Sequence, residues 1–549
     1  MSAQKSDRYV IGIDFGTLSA RAILVDVRNG ETRASAVAEY KRGVIEGTLP
    51  GAGKLLASDT ALQYPADYLR AMETTVRAVV RKARVLPDQV VGIGTDFTCC
   101  TVLPTARDGT PLCFDAKWRK NPHAWVKLWK HHAAQPQADE INRAGSGRDE
   151  EFLKIYGGRY SSEWLFSKLL ETLRQAPAVY AAAERFIEAG DWIVWQMTGQ
   201  EKRGLSAAGF KAMRVCGENS NQFPSPEFFT ALDPRMHDVV ATKLQSEFLP
   251  PGATAGGLTA EMAKRLGLRA GTPVAVGNID AHAGVTACGV TTPGKLVIIL
   301  GTSSCHLLLS DQKQMIEGVC GVVKDGVVPG LWGYEAGQAG VGDSFAWFVE
   351  RLGPRGWTHA HLERESAKLA PGESGLLALD WWNGSRFLVD AGLSGVLFGL
   401  KLGTQPQEIY RALIESTAFG TRRIIEAFTN KGIAIDEVHA CGGLAQKNNL
   451  LLQIYADVTG RVIKVAAAEQ ASALGAALHA AVAAGVYTSL DAAARKMTAP
   501  PARKFTPSKK AGAIYEHLYA EYGRVHDLFG RDPGSVLKRL KAIRAAATK

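Results

Sequence analysis

The chain has 549 residues, of which 46% are hydrophobic and 21% charged. That length exceeds what one hydrophobic core serves, so two large domains are expected, and the composition excludes a disordered chain. A formal charge of +10 would suit a nucleic acid, an anionic membrane or a phosphorylated ligand, yet Lys and Arg are dispersed, no nucleic-acid module is visible and no apolar run is long enough to span a bilayer, so nucleic acid and membrane are set aside as partners.

In chain order, two β-prone apolar runs at 9–16 and 22–27 flank a short polar turn, which predicts a β-hairpin. Asn29 and Gly30 make a second turn and 32–40 a third strand. Leu69, Met72, Val76, Val79 and Val80 recur at helical spacing and predict a helix over 67–85. A buried strand over 90–96 ends in the carboxylate of Asp96. Residues 117–142, rich in Trp, His and Lys, read as helix and loop, and the stretch from about 161 to 198 is helical in period. Pro-rich loops follow at 223–226 and 250–251, then a strand over 273–277.

A new unit is expected from about Thr286. Residues 295–310 repeat the opening pattern of apolar run, Gly-Thr, polar pair and apolar run, an internal duplication at the level of a motif. Helices are expected over 408–428, 448–459 and 471–484, and a strand at 437–441 enters the pair Gly442 and Gly443. The basic stretch 536–544 reads as the solvated end of an amphipathic helix. Eight cysteines include no C-x-x-C pair, which argues against a zinc site and for reduced thiols in a cytoplasmic protein. Residues 1–8 run straight into a strand and carry no leader-like apolar segment.

Four motifs carry chemistry. Asp14, Gly16 and Thr17 form a turn whose backbone N–H groups and hydroxyl suit phosphate oxygens, with Asp14 able to hold Mg2+ directly or through water. Gly301 and Thr302, followed by two serines, offer the same chemistry from the other half, and the pair argues more strongly than either member. Gly442 and Gly443 permit close approach of backbone to a ligand, and Gln446 and Asn448 could bond a nucleotide. Asp280 follows a strand and precedes a helical run, so it could accept a hydroxyl proton during phosphoryl transfer or cap the helix.

The order and spacing of these four motifs resemble the FGGY carbohydrate kinases of the actin-like ATPase superfamily, over almost the whole chain. The resemblance implies an α/β fold of two actin-like (ribonuclease H-like) domains, mixed sheets flanked by helices, with a cleft between them. The first domain, 1–283, would bind the sugar. The second, 284–549, would bind ATP, with 500–549 a helical extension or a segment packed back on domain one. It implies Asp280 as catalytic base and ATP with Mg2+ at the turns. Segments 94–98, 127–133, 158–164 and 333–338 are similar to the ribulokinase subfamily. In that subfamily an Asp, a Trp, a Lys and a Glu line the sugar pocket, by motif Asp96, Trp129, Lys211 and Glu335. Trp118 and Trp125 lie close to Trp129, and packing is the expected fate of at least two of the three. His131, His132 and His282 are read as positioning or structural groups. Ribulose is the implied acceptor, in L-arabinose breakdown. Xylulose, another ketopentose or a polyol stay open, as does a non-kinase actin-like ATPase. A homodimer is a family-level expectation.

Overall fold

The computed structural model describes residues 7–53, 55–148, 150–217, 221–532 and 534–547. The N-terminal reading of no leader falls largely on residues 1–6, outside the described residues. The chain folds as two compact units: Met1–Thr291, Gly321–Gly333 and Gln470–Ala499 form the first, and Thr292–Cys320, Tyr334–Glu469 and Pro500–Lys549 the second. A single cut at 283/284 therefore does not describe these units. It falls inside the helix Asp280–Ala287, and the chain returns to the first unit at 470–499.

The main sheet of the first unit contains β1 (Tyr9–Phe15), β2 (Ser19–Asp26), β3 (Thr32–Glu39), β4 (Val90–Phe97), β5 (Thr254–Gly257) and β6 (Pro273–Ala275). Their order across the sheet is β5-β6-β4-β1-β2-β3, and the short strand Asn278–Ile279 pairs with β4. β1 is antiparallel to β2 and parallel to β4, and β6 and Asn278–Ile279 are also parallel to β4. Alternation along the strands assigns each face. Ile11, Ile13, Phe15 and Ile93 join a core with Tyr68, Met72, Val76, Trp192 and Met262. On β1 and β4 the intervening positions are Gly12, Gly92 and Gly94, and here the Ala-rich helix Ala471–Ala483 lies against the strands. A Cβ at Gly12 or Gly94 would overlap the carbonyl oxygen of Ala473 or Ala476, so backbone meets backbone with no side chain between.

The main sheet of the second unit is built from β7 (Lys295–Leu300), β8 (Ser304–Ser310), β9 (Trp332–Gln338), β10 (Glu437–Cys441), β11 (Ile463–Val465) and β12 (Arg503–Phe505), in the order β9-β8-β7-β10-β11-β12. β7 is antiparallel to β8 and parallel to β10, β10 is parallel to β11, and β12 is antiparallel to β11. Position for position this repeats the first sheet, so the duplication seen in two turns extends to six strands. The helices Pro406–Thr429, Asn449–Thr459 and Lys509–Gly530 pack together in this unit. Residues 500–547 thus supply an edge strand and the helices Lys509–Gly530 and Val536–Ala547 to the second unit.

Two expectations need correction. The stretch 161–198 is not helical throughout: after the helices Leu165–Gln175 and Pro177–Ala182, the strand Arg185–Glu188 pairs antiparallel with Val102–Thr105 before the helix Ala189–Thr198. Apolar positions from two adjoining helices merge into one period and hide a four-residue strand. The strand expected over 273–277 stops at Ala275 and resumes as Asn278–Ile279. Gly277 sits at the break, where a Cβ would come within 2.7 Å of the Gly190 carbonyl oxygen. All eight cysteines are free, with Cys100 in the left-handed region at φ 60°.

Candidate active site

In the first unit, three parallel strands end side by side, and each end carries a carboxylate. Asp14 of β1 stands in register with Asp96 of β4, and Asp96 stands in register with Asn278, two residues before Asp280. The carboxyl ends of parallel strands are where open α/β sheets bind ligands. Arg21 on β2 donates Nη1–H to Asp14 Oδ2 at 3.0 Å. Burial pushes the Asp14 carboxyl above its ordinary value, opposed by Arg21. Asp96 is fully buried, and neither of its oxygens has a hydrogen-bond partner in the protein. Burial, then the charges of Asp14 and Asp280, hold its carboxyl well above the usual range. Buried polar groups without partners are rare and mark a place where something else supplies the bond.

Asp280 is the first residue of its helix, with Ile279 in the capping position, and its Oδ1 accepts the Ala281 N–H at 2.7 Å. It is therefore not the helix cap that one reading allowed. Next to these carboxylates is the β1–β2 turn, closed by the Gly16 N–H on the Ser19 carbonyl at 3.0 Å. The Gln63 side chain donates to the Thr17 carbonyl at 2.6 Å, and Trp129 Nε1–H donates to Thr17 Oγ1 at 3.1 Å. Of the three tryptophans, Trp129 reaches the turn. Trp125 is buried, packs against Tyr64 and donates to the Arg119 carbonyl, while Trp118 stacks with Lys117.

Lys211, 3% exposed at the end of the helix Leu205–Lys211, is held by another set of groups. Its Nζ lies 5.3 Å from the ring centroid of Trp164, which packs with Tyr156 and Tyr160. His282 is fully buried, with Nδ1 2.7 Å from Ser206 Oγ and its ring edge-on to Phe210, which fits a structural role.

Sequence reasoning missed a buried charged cluster built on Lys127 and His131, which flank Trp129 along the chain. Lys127 Nζ donates to Glu171 Oε2 at 2.6 Å, and His131 Nε2 lies 2.8 Å from the same oxygen. Although burial opposes it, Lys127 and His131 hold Glu171 below the usual carboxylate range. Burial pushes His131 down to about 4, so its imidazole is neutral near pH 7. Lys168 Nζ donates to the carbonyls of Cys100 and Leu128, at 2.5 and 2.8 Å. It ties the left-handed turn at Cys100 to the segment that carries Trp129. These partners lie far apart along the chain, and no local pattern joins them.

In the second unit the β7–β8 turn holds Gly301 and Thr302, and the parallel pairing of β7 with β10 sets Gly442 and Gly443 beside it. Gly442 has φ +93°, and a Cβ there would lie 2.5 Å from the Leu300 carbonyl oxygen, so this position requires glycine. Gly301 N–H donates to the Ser303 carbonyl at 3.0 Å, and the Thr302 carbonyl accepts the Val341 N–H at 2.9 Å. Gln446 Nε2 is engaged by the Ala466 carbonyl at 2.9 Å, and Asn448 Oδ1 caps the helix Asn449–Thr459 through the Leu451 N–H. Glu335 is buried on β9.

No helix among the described residues is long and apolar enough to cross a membrane. Among those residues no set of three or more His, Cys, Asp or Glu groups is arranged to hold a metal.

Comparison with known proteins shows the family. The chain matches the family model of the FGGY family of carbohydrate kinases, N-terminal domain, over residues 9–287, and its C-terminal domain over 296–484. It is 52% identical to "Ribulokinase" of Halalkalibacterium halodurans over 98% of both chains, and 46% identical to "Ribulokinase" of Mycolicibacterium smegmatis over 100% of this chain and 99% of the other. Its fold is similar to the crystal structure of xylulose kinase from Rhodospirillum rubrum, with TM-score 0.77, 23% identity, and 94% and 98% of the two chains covered.

Proposed function

Because the chain belongs to the FGGY family of carbohydrate kinases, we propose that it transfers the γ-phosphoryl group of ATP to ribulose, giving ADP and ribulose 5-phosphate. The observation that carries the chemistry is the row Asp14, Asp96 and Asp280 at the carboxyl ends of adjacent parallel strands, beside the Gly16–Thr17 turn. The substrate comes from the named relatives, 46–52% identical over nearly the full chain.

In this reading Asp280 accepts the proton of the sugar's terminal hydroxyl as its oxygen attacks the γ-phosphorus. Its bond from the Ala281 N–H orients the carboxylate. Asp96, whose two buried oxygens have no hydrogen-bond partner in the protein, exchanges hydrogen bonds with the sugar hydroxyls. Trp129 offers a ring face to the sugar C–H groups while its N–H stays on Thr17. Lys211 and Glu335 are assigned to the sugar by the subfamily pattern. The turns at Gly16–Thr17 and Gly301–Thr302 hold phosphate oxygens, and Gly442, Gly443 and the free face of the Gln446 amide meet the nucleoside.

The residues also fit Mg2+. Asp14 and Asp96 stand in register as a buried carboxylate pair, and burial pushes both carboxyls up, so a cation beside them would favour their ionised forms. Asp14 would hold the ion, directly or through water, since Mg2+ keeps much of its hydration shell. When bound, the ion supplies neutralisation of charge on the β- and γ-phosphates.

The direct test is Asp280→Asn, which keeps shape and removes the base. Turnover is expected to fall by about 10²–10⁴-fold, with ATP binding by titration calorimetry retained. Near-normal turnover would remove Asp280 from this role.

A further inference from the structure

We propose that Gln338, oriented by Asp380, is a positioning residue for the phosphate turn 301–304. The inference rests on the reading above that this turn holds the phosphates of ATP. It concerns the second unit alone, where a line of buried polar side chains runs from the turn to the helix Lys509–Gly530.

Ser304, at the end of the turn, donates Oγ–H to Gln338 Oε1 at 3.1 Å, and Thr421 Oγ1–H donates to the same oxygen at 3.1 Å. Gln338 Nε2 donates to Asp380 Oδ2 at 2.8 Å and to the Thr417 carbonyl at 2.9 Å. Tyr522 OH donates to Asp380 Oδ1 at 2.7 Å. His306 Nε2 lies 3.1 Å from Thr421 Oγ1. Every one of these side chains is at most 6% exposed, so water offers no alternative partner.

Burial fixes every direction in the line. Both Asp380 oxygens accept, and the Thr417 carbonyl can only accept, so the amide nitrogen of Gln338 must face them. Its carbonyl then faces Ser304 and Thr421, and each hydroxyl gives its single proton to it. Thr421 accepts in turn from His306, which is therefore the Nε2–H tautomer. The fold also makes room for the line. A Cβ at Gly420 would overlap Gln338 Nε2 and Asp380 Oδ2, and one at Gly337 would lie 2.5 Å from the Ser304 carbonyl oxygen. The turn is gripped a second time, by backbone: the Val341 and Gly342 N–H groups, just beyond Gln338, donate to Thr302 and Gly301. Gln338 therefore ties the strand that leads into this grip to the last residue of the turn. A line that only filled the core would be replaceable by apolar groups. This one fixes one amide orientation, and with it the Ser304 hydroxyl.

The test uses the full chain and steady-state kinetics with ATP and ribulose varied in turn. Gln338→Met removes all four bonds at similar length. Asp380→Asn is the milder variant, for the case in which the first fails to fold. Each is expected to lower kcat/KM for ATP about tenfold or more while KM for ribulose changes less than about twofold. Ser304→Ala combined with either is expected to do no further harm, because coupled residues are non-additive. Equal losses on both substrates, an additive double variant, or unchanged ATP kinetics would each overturn the proposal. Thr302→Ala separates it from the reading beneath it. If Thr302→Ala weakens ATP kinetics and the Gln338 and Asp380 variants do not, only the positioning role fails. If Thr302→Ala also leaves them unchanged, the assignment of the turn to phosphate fails.

Discussion

Asp191 lies in the first turn of the helix Ala189–Thr198, is 5% exposed, and accepts the Gly204 N–H at 2.8 Å. Burial pushes its carboxyl up to about 7, with the Gly204 bond and Arg203 opposing. The unfolded chain releases this proton near pH 3.9, while the folded chain keeps it until about pH 7. Between those values the folded state binds more protons, so stability falls as pH rises, by at most ~4 kcal/mol for this group. Asp14 and Asp96 act in the same sense. Asp191→Asn keeps an acceptor for Gly204 and removes the titration. Its melting temperature is expected to drop less than the parent's between pH 4.5 and 7.5, and parallel curves would contradict the assignment. At this scale Asp14, Asp96 and Asp280 were legible in the sequence, because each closes an apolar run. Arg21, Lys168, Glu171 and Asp380 were not, because their partners become neighbours only in the folded chain.

Among the elements, the helix Ala471–Ala483 depends most on missing side chains. Gly12, Gly92 and Gly94 let it rest on β1 and β4, and Gly475 lets it meet the backbone of Ala283. Gly94→Ala forces Cβ into the Ala476 carbonyl, which belongs to a helix backbone and cannot swing away. A loss of about 1–3 kcal/mol or more is expected from such overpacking, read as a lower melting temperature. Gly523→Ala is the opposite case. That glycine lies within the helix Lys509–Gly530, with nothing within 4 Å of a new Cβ. Alanine there is expected to stabilise by about 0.5–1 kcal/mol. A neutral Gly94→Ala would show that helix and sheet are less closely apposed. The amphipathic helix Pro65–Ala83, the hairpin β1–β2 and the helix Pro406–Thr429 were legible from periodicity alone. The strand Arg185–Glu188 was not, since four residues between helices carry too little period. The return of 470–499 to the first unit was not either, since no local pattern says which sheet an Ala-rich helix will cover.

At the scale of the molecule, one six-strand order occurs twice, each time with a Gly-Thr turn after the strand parallel to its neighbour. The two turns and the repeat of their setting could be read from the sequence. The interleaving of the units could not, because it depends on long-range packing. One chemistry accounts for this arrangement, transfer of phosphoryl from ATP to a sugar hydroxyl, and family membership fixes its class. The measurement that tests it most directly is ADP release with Mg2+ and ATP in the presence of L-ribulose, D-ribulose, D-xylulose, L-xylulose, ribitol or glycerol. The account predicts strong stimulation by a ribulose and weak stimulation by the others. Strong stimulation by xylulose or glycerol, with ribulose inert, would contradict it and remove Asp96, Trp129, Lys211 and Glu335 from a ribulose pocket.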